Sequence, residues 1–240
     1  MRKPALRPVT KLSAENQCTV ILRDYILSGR VKPGARLTEI ALAEQLDVAR
    51  ATLRTSLHRL ASEGMVVQIP YTGWHVTALT PKDVWELWTL RASLEGLAAR
   101  LVAESMNGDF EARLNRAMDE LVAACKSGNP VSASAADFAL HRTIIELSGH
   151  DRLKSQYKQV EQQVRFFIVN SNSLLEDNLD EIIAQHRPIV DALVSGDGKA
   201  AAEEAWNHNQ SEGEKLISSG SVAQPAAAAA PRGRARQGRA

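Results

Sequence analysis

A chain of 240 residues with 44% hydrophobic content has room for one or two domains with buried cores. It contains no apolar run near the roughly 20 residues that a membrane helix needs. It shows no leader-like apolar start, and its only cysteines, Cys18 and Cys125, are too far apart for a local metal clip or a disulfide framework. The expectation is a protein of the reducing cytoplasm with no membrane partner. A net charge of +1 conceals an uneven spread, with +5 over residues 1–80, −8 over residues 81–220 and +4 over residues 221–240. A basic amino-terminal part joined to an acidic body suits a polyanion reader attached to a second module, with ordinary compositional fluctuation as the plainer alternative.

Residues 1–13 are expected to form a flexible arm, followed by a helix from Ala14 to Ser28 that Gly29 and the Pro33-Gly34 breaker end. The stretch from Leu37 to Val66 reads as two short amphipathic helices about a tight turn. In the first, Leu37, Ile40, Ala41 and Leu42 form an apolar stripe, and Leu46 and Val48 carry the turn. In the second, Leu53, Leu57 and Leu60 recur at steps of four and three, so one face is buried. The opposite face carries Arg50, Thr52, Arg54, Thr55 and His58. A helix that hides leucines and presents arginines from its first turns suits a DNA major groove. Val66-Val67-Gln68-Ile69 and Trp74-His75-Val76, joined by Pro70-Tyr71-Thr72-Gly73, predict a hairpin. Together these elements predict a winged helix-turn-helix over residues 14–79.

Thr80-Pro81-Lys82-Asp83 reads as a helix start, with Thr80 as cap and Pro81 at the first position. Helical patterns then fill 81–106, 109–127, 131–148, 151–171, 174–195 and 198–217, an all-α six-helix bundle over residues 80–217. The fold class is therefore mainly α. Residues 218–240, rich in Ala, Pro and Arg, are expected to be disordered.

The bundle carries a candidate constellation. Asp137 and His141 lie four residues apart, stacked on one helix face, and His186 and His208 flank the Gly196-Asp197-Gly198 turn. Three imidazoles and a carboxylate projecting into a bundle suit a divalent transition metal. Spacing alone leaves core or solvent-facing histidines as the alternative. Arg91, among Leu87, Leu90 and Leu94, has Glu95 one turn away, and Arg165 sits between Val164 and Phe166-Phe167. Each is either half of a structural ion pair or a clamp for a carboxylate ligand. His150, beside Gly149, reads as a helix-terminus residue.

In chain order, LRDYILSGRVKPGARL, LAEQLDVARATLRTSLHRLASEGMV and Gly73 are followed by LRASLEGLAARL, DFALH and HRPIVDALVSGDGKAAAEEAWNHN. Over roughly residues 14–215 this series resembles a GntR-family transcription regulator of the FadR-like group, whose carboxy-terminal all-helical ligand domain is called FCD. The resemblance implies a homodimer on a near-palindromic double-stranded DNA operator. It also implies a small organic-acid effector that relieves repression, and a divalent metal of the zinc, nickel or manganese class held by Asp137, His141, His186 and His208. It implies DNA-facing roles for Arg50, Thr52, Arg54, His58, Arg59 and Gly73, with Arg91 and Arg165 near the effector.

The chain departs from the family pattern at several positions. Asp47 stands where glycine is usual, Ala49 where a serine or threonine cap is usual, and Thr52, Thr55 and His58 where proline, glutamate and arginine are common. Ile40 and Thr72 replace frequent basic residues. These departures imply a weaker or unusual operator preference. The competing readings are a metal-dependent hydrolytic enzyme, for which no general-base motif is visible and which leaves the basic head unexplained, and a sensor of the metal ion itself.

Overall fold

The computed structural model describes residues 13–223. All of the expected flexible arm except Ser13, and most of the expected disordered tail, lie outside the described residues. Ser13 Oγ accepts the Asn16 N–H at 3.2 Å to open α1 (Ala14–Leu27). Strand β1 (Arg36–Leu37), α2 (Glu39–Gln45), α3 (Arg50–Ser62), β2 (Val66–Ile69) and β3 (Gly73–Val76) complete the head. The three strands form an antiparallel sheet in the order β1-β3-β2, with Val66 opposite Val76 and Ile69 opposite Gly73.

Two expectations for the head need correction. Leu37 belongs to β1, a two-residue strand too short to leave a periodic signal, and pairs with Trp74 on β3. On α2, Ile40 and Ala41 face solvent, and Ala43 is the buried residue. Leu53, Leu57 and Leu60 of α3 are fully buried as their spacing predicts. Asp47, in the turn before α3, adopts a left-handed backbone with φ of 49°. A glycine would hold that conformation without steric cost.

The body consists of α4 (Pro81–Glu104), α5 (Gly108–Lys126), α6 (Pro130–Leu147), α7 (Asp151–Asn172), α8 (Asp180–Ser195) and α9 (Gly198–Ser218). A reciprocal capping box between Thr80 and Asp83 fixes the start of α4. The single helix expected over 174–195 is divided. A 3-10 turn (Ser173–Leu175) and a polar turn precede α8, and the Asn178 N–H closes onto the Leu175 carbonyl at 2.8 Å. The Glu176-Asp177-Asn178 run favours such a turn because short polar side chains compete with helical hydrogen bonds. None of the described helices is long and apolar enough to cross a membrane.

Head and body share a core. Leu22, Leu53, Leu57 and Trp74 of the head form one apolar cluster with Val84, Trp88, Phe166, Phe167 and Leu216 of α4, α7 and α9. Beyond α9 the chain returns to this junction, where the Ala223 N–H donates to the Leu79 carbonyl at 2.8 Å and Val222 packs against the shared core. The first residues of the expected disordered tail are thus part of the fold. In the C-terminal half of α9, a Cβ on Gly213 would overlap the Trp88 indole. This close α4–α9 approach sets the level at which their side chains meet.

Candidate functional site

Two surfaces carry chemistry. The first is the exposed side of α3, where Arg50, Arg54, Thr55 and His58 face solvent and Thr52 is half-buried. Ala49 caps this helix without a side-chain hydrogen bond, so its first N–H groups stay free of that partner. Arg54 Nη2 is held 2.8 Å from Glu39 Oε2, while Glu39 Oε1 accepts the Trp74 indole N–H at 3.0 Å. Glu39 thereby ties α2, α3 and the wing together, and its carboxyl is held below the usual range first by the Arg54 hydrogen bond. His58 stands edge-on to Trp74 with ring centroids 4.9 Å apart. Arg59 turns the other way and donates to Asn16 Oδ1 of α1 at 2.8 Å. Gly73 opens β3 with φ of +94° and open space around it, a turn that a Cβ would strain.

The second is a buried chamber among α4, α6, α7, α8 and α9. Asp137 and His141 project from α6, His186 from α8 and His208 from α9, all of them buried. The three imidazoles each offer a nitrogen within 4.8 Å of the others. Asp137 Oδ1 lies 3.3 Å from His141 Nε2 and 3.2 Å from His186 Nε2. Partners on the far side of two rings assign their tautomers. His141 Nδ1 is 3.0 Å from Glu95 Oε2, and His186 Nδ1 is 2.7 Å from the Ile182 carbonyl. With those Nδ1 atoms protonated, the Nε2 lone pairs converge, and His141 and His186 Nε2 stand 3.0 Å apart. In that neutral form neither ring offers a proton to Asp137 Oδ1, which is buried close to both imidazoles without a hydrogen-bond donor. Both ring nitrogens of His208 are likewise buried without a hydrogen-bond partner.

Outside the ligand set lies a buried polar shell. Arg91 donates from Nε to Glu95 Oε1 at 2.9 Å, from Nη1 to Glu212 Oε2 at 2.7 Å and from Nη2 to His141 Nε2 at 2.6 Å. Tyr157 Oη and Asn209 Nδ2 donate to Glu95 at 2.9 and 3.0 Å, and Asn172 Nδ2 to Asp137 Oδ2 at 2.7 Å. Three carboxylates (Glu95, Asp137, Glu212) and one guanidinium give the chamber a formal charge of −2 when its imidazoles are neutral. Burial depresses the His208 pKa well below its usual value, and the neighbouring imidazoles act in the same direction. Burial, the largest influence, would lower His141 too, but Glu95 and the Asp137 carboxylate together reverse it and raise that ring to about 9. A cavity of about 230 Å³ between the α7 end, α8 and α9 reaches inward as far as Ser171 and Glu212.

The structure therefore brings Asp137, His141, His186, His208 and Arg91 together and leaves Arg165 apart. Arg165 lies over the Phe138 ring at 5.4 Å, lining a cavity at the junction with α1. His150 is the cap of α7 and accepts the Leu153 N–H. Glu212, Asn172, Asn209 and Tyr157 escape sequence reasoning. Only Glu212 leaves a signal, one turn after His208.

Comparison with known proteins bears on both surfaces. Residues 16–76 match the model for bacterial regulatory proteins of the gntR family, and residues 86–211 match the FCD domain. Over 199 residues the chain is 30% identical to a probable D-xylose utilization operon transcriptional repressor of Paenarthrobacter nicotinovorans, covering 78% of this chain and 83% of that protein. A putative GntR regulator from Rhodococcus sp. RHA1 has the same fold, with a TM-score of 0.75 at 22% identity over 86% of this chain and 99% of that one. Escherichia coli McbR/YncC also shares it, with a TM-score of 0.71 at 22% identity over 87% and 99% of the two chains. With a winged head and an FCD body joined in one chain, the protein belongs to the GntR family and is a DNA-binding transcriptional regulator, not an enzyme.

Proposed function

We propose that this regulator acts as a repressor, binding a near-palindromic operator as a homodimer and releasing it when a small organic acid occupies the chamber beside a divalent metal. Arg50 and Arg54 would contact bases or phosphates, with Thr52, His58 and the Gly73 wing beside them. Arg59 would brace α3 against α1. Asp137, His141, His186 and His208 would hold the metal. When bound, the ion would supply Lewis acidity toward an effector carboxylate. Arg91 and the cavity reaching Glu212 would complete the effector site, while Arg165 is assigned to the head–body junction.

The observation that carries this reading is the convergence of three buried imidazoles on a buried carboxylate oxygen, inside a chamber whose formal charge is −2 once those imidazoles are neutral. A divalent cation cancels that charge and satisfies the orphaned acceptors, which neutral donors could do only in part. A cavity that reaches Glu212, the partner of Arg91, gives an organic effector a place to enter beside the ion.

The test compares full-length parent protein with His186→Ala and His208→Ala for bound metal, for organic-acid binding, and for affinity to the DNA upstream of its own coding region. Loss of metal together with loss of acid-induced DNA release is expected. Acid response in fully stripped parent protein would refute the metal-completed site. Operator affinity that follows zinc alone would instead establish a metal sensor.

A further inference from the structure

Where the end of α1 meets α6 and α7, two cavities of about 270 and 170 Å³ lie side by side and share Leu27, Ser28, Val131, Ser134 and Val169 as walls. Leu27 closes α1 of the head, Val131 and Ser134 lie in the first turns of α6, and Val169 is on α7. The cleft is therefore built half by the head and half by the body, and none of these residues belongs to the histidine chamber. Its larger arm continues over Ile26, Val31 and Phe166. Both cavities are smaller than the roughly 300–1,000 Å³ of sites for drug-sized ligands, so an occupant must be small.

The smaller cavity carries two opposite charges. Arg165 lines it from α7 and Asp24 from α1. Among the described residues neither side chain has an ion-pair partner, and the guanidinium makes only a long hydrogen bond from Nη1 to Gln162 Oε1, at 3.5 Å. Burial depresses the Arg165 pKa against the field of Asp24, so a half-buried cation has lost part of its solvation. Asp24 is exposed and stands at the mouth. Ser134 is only 6% exposed, lines both cavities, and makes no side-chain hydrogen bond among the described residues. A buried hydroxyl left without a partner is costly, and here it borders open space.

A separated cation and anion flanking an apolar cleft match a zwitterion better than a simple acid. We propose that the cleft binds a small apolar α-amino acid, its carboxylate on Arg165 and Ser134, its ammonium toward Asp24 and its side chain in the larger cavity. The guanidinium fork suits a carboxylate, and the Ser134 hydroxyl can donate to the same group. An acid without the ammonium would meet the Asp24 charge uncompensated. Lys32 and Glu176, exposed on the larger cavity, are of opposite sign and leave it no net charge. A polar side chain would be left unpaired against Ile26 and Val31. The occupant touches α1, α6 and α7 together, so it would bear on how the head sits on the body, and it calls on none of the chamber histidines.

Calorimetric titration of the full-length, metal-stripped protein with L-leucine provides the test. Binding is expected, weakened about tenfold or more in Arg165→Gln and in Asp24→Asn, each with an unchanged circular dichroism spectrum. Val131→Trp, which fills the cleft from an exposed position, should abolish it. Isocaproate, which is leucine without its amino group, should bind the parent about tenfold more weakly than L-leucine, and Asp24→Asn should remove that difference. His208→Ala should bind L-leucine as the parent does. A parent that does not bind millimolar L-leucine, or that binds isocaproate equally well, would overturn the proposal. Binding that ignores Arg165→Gln and Asp24→Asn but is lost in His208→Ala would place the ligand in the chamber and overturn it too.

Discussion

Replacing Glu95 with glutamine isolates the electrostatics of the chamber. Burial alone would lower the His141 pKa, yet Glu95, 3.0 Å from Nδ1, together with Asp137 reverses it and raises the ring from 6.5 to about 9. A raised folded-state pKa means that protonated His141 stabilises the metal-free fold. That contribution is complete below the unfolded value and is lost as pH rises through the folded one. At ~1.4 kcal/mol per unit the shift corresponds to about 3 kcal/mol. A metal ion needs the same nitrogen unprotonated. Uptake near neutral pH should therefore expel about one proton, and affinity should climb about tenfold per pH unit until His141 has lost its proton. His208, depressed by burial, is already neutral and adds nothing to this count. Calorimetric titration with zinc in buffers of different ionisation enthalpy reads the proton directly. Glu95→Gln should release a smaller fraction of a proton at neutral pH and flatten the pH slope, whatever it does to absolute affinity. A parent protein that releases no proton, or a variant with an unchanged slope, would refute the assignment.

The remaining predictions concern the head and the α4–α9 contact. Arg54→Ala should weaken operator binding and reduce the salt slope by about 1 if the contact is to phosphate, or cost about 1–3 kcal/mol in discrimination if it is to guanine. Glu39→Gln should do the reverse, because it frees the Arg54 guanidinium and removes an anion from the DNA-facing side; fluorescence anisotropy across salt concentrations checks both. Gly213→Ala gains about 1 kcal/mol of helix propensity but must displace Trp88, an overpacking cost of about 1–3 kcal/mol, so a lowered melting temperature is expected. Arg91→Ala leaves Glu95 and Glu212 buried without their cation and should cost the metal-free protein about 3–5 kcal/mol in denaturant titrations, with zinc restoring part of the loss.

Features whose physics is local were legible in the sequence. The leucines of α3 repeat at helical spacing, the Thr80-Pro81-Asp83 start of α4 is a capping box, and Asp137 with His141 share one face of α6. The grouping of His186 and His208 with them is weak on spacing alone, because no periodicity links residues on α6, α8 and α9, and the resemblance strengthens it. Strand β1 escaped because two residues hold no period and its partner lies in the wing. The position of Arg165 at the junction was hidden for the opposite reason. Its apolar neighbours suggest burial, but α7 is buried along much of its length, and only the tertiary fold decides whether a side chain there faces the chamber or the junction.

Arg91 is where these scales meet. In sequence it is half of an i,i+4 pair with Glu95. In the structure its guanidinium touches His141 Nε2, holds Glu212 on α9 and lies 5.8 Å from the centre of the Phe167 ring, which belongs to the core shared with the head. Once His141 Nε2 has lost its proton, a cation bound there would compete with Arg91, since both require the same lone pair. Displacing Arg91 would change what Phe167 and Glu212 pack against, which would link chamber occupancy to the core shared with the head. The coupling this needs is modest, about 1–3 kcal/mol, the scale of a single charge-assisted hydrogen bond gained or lost.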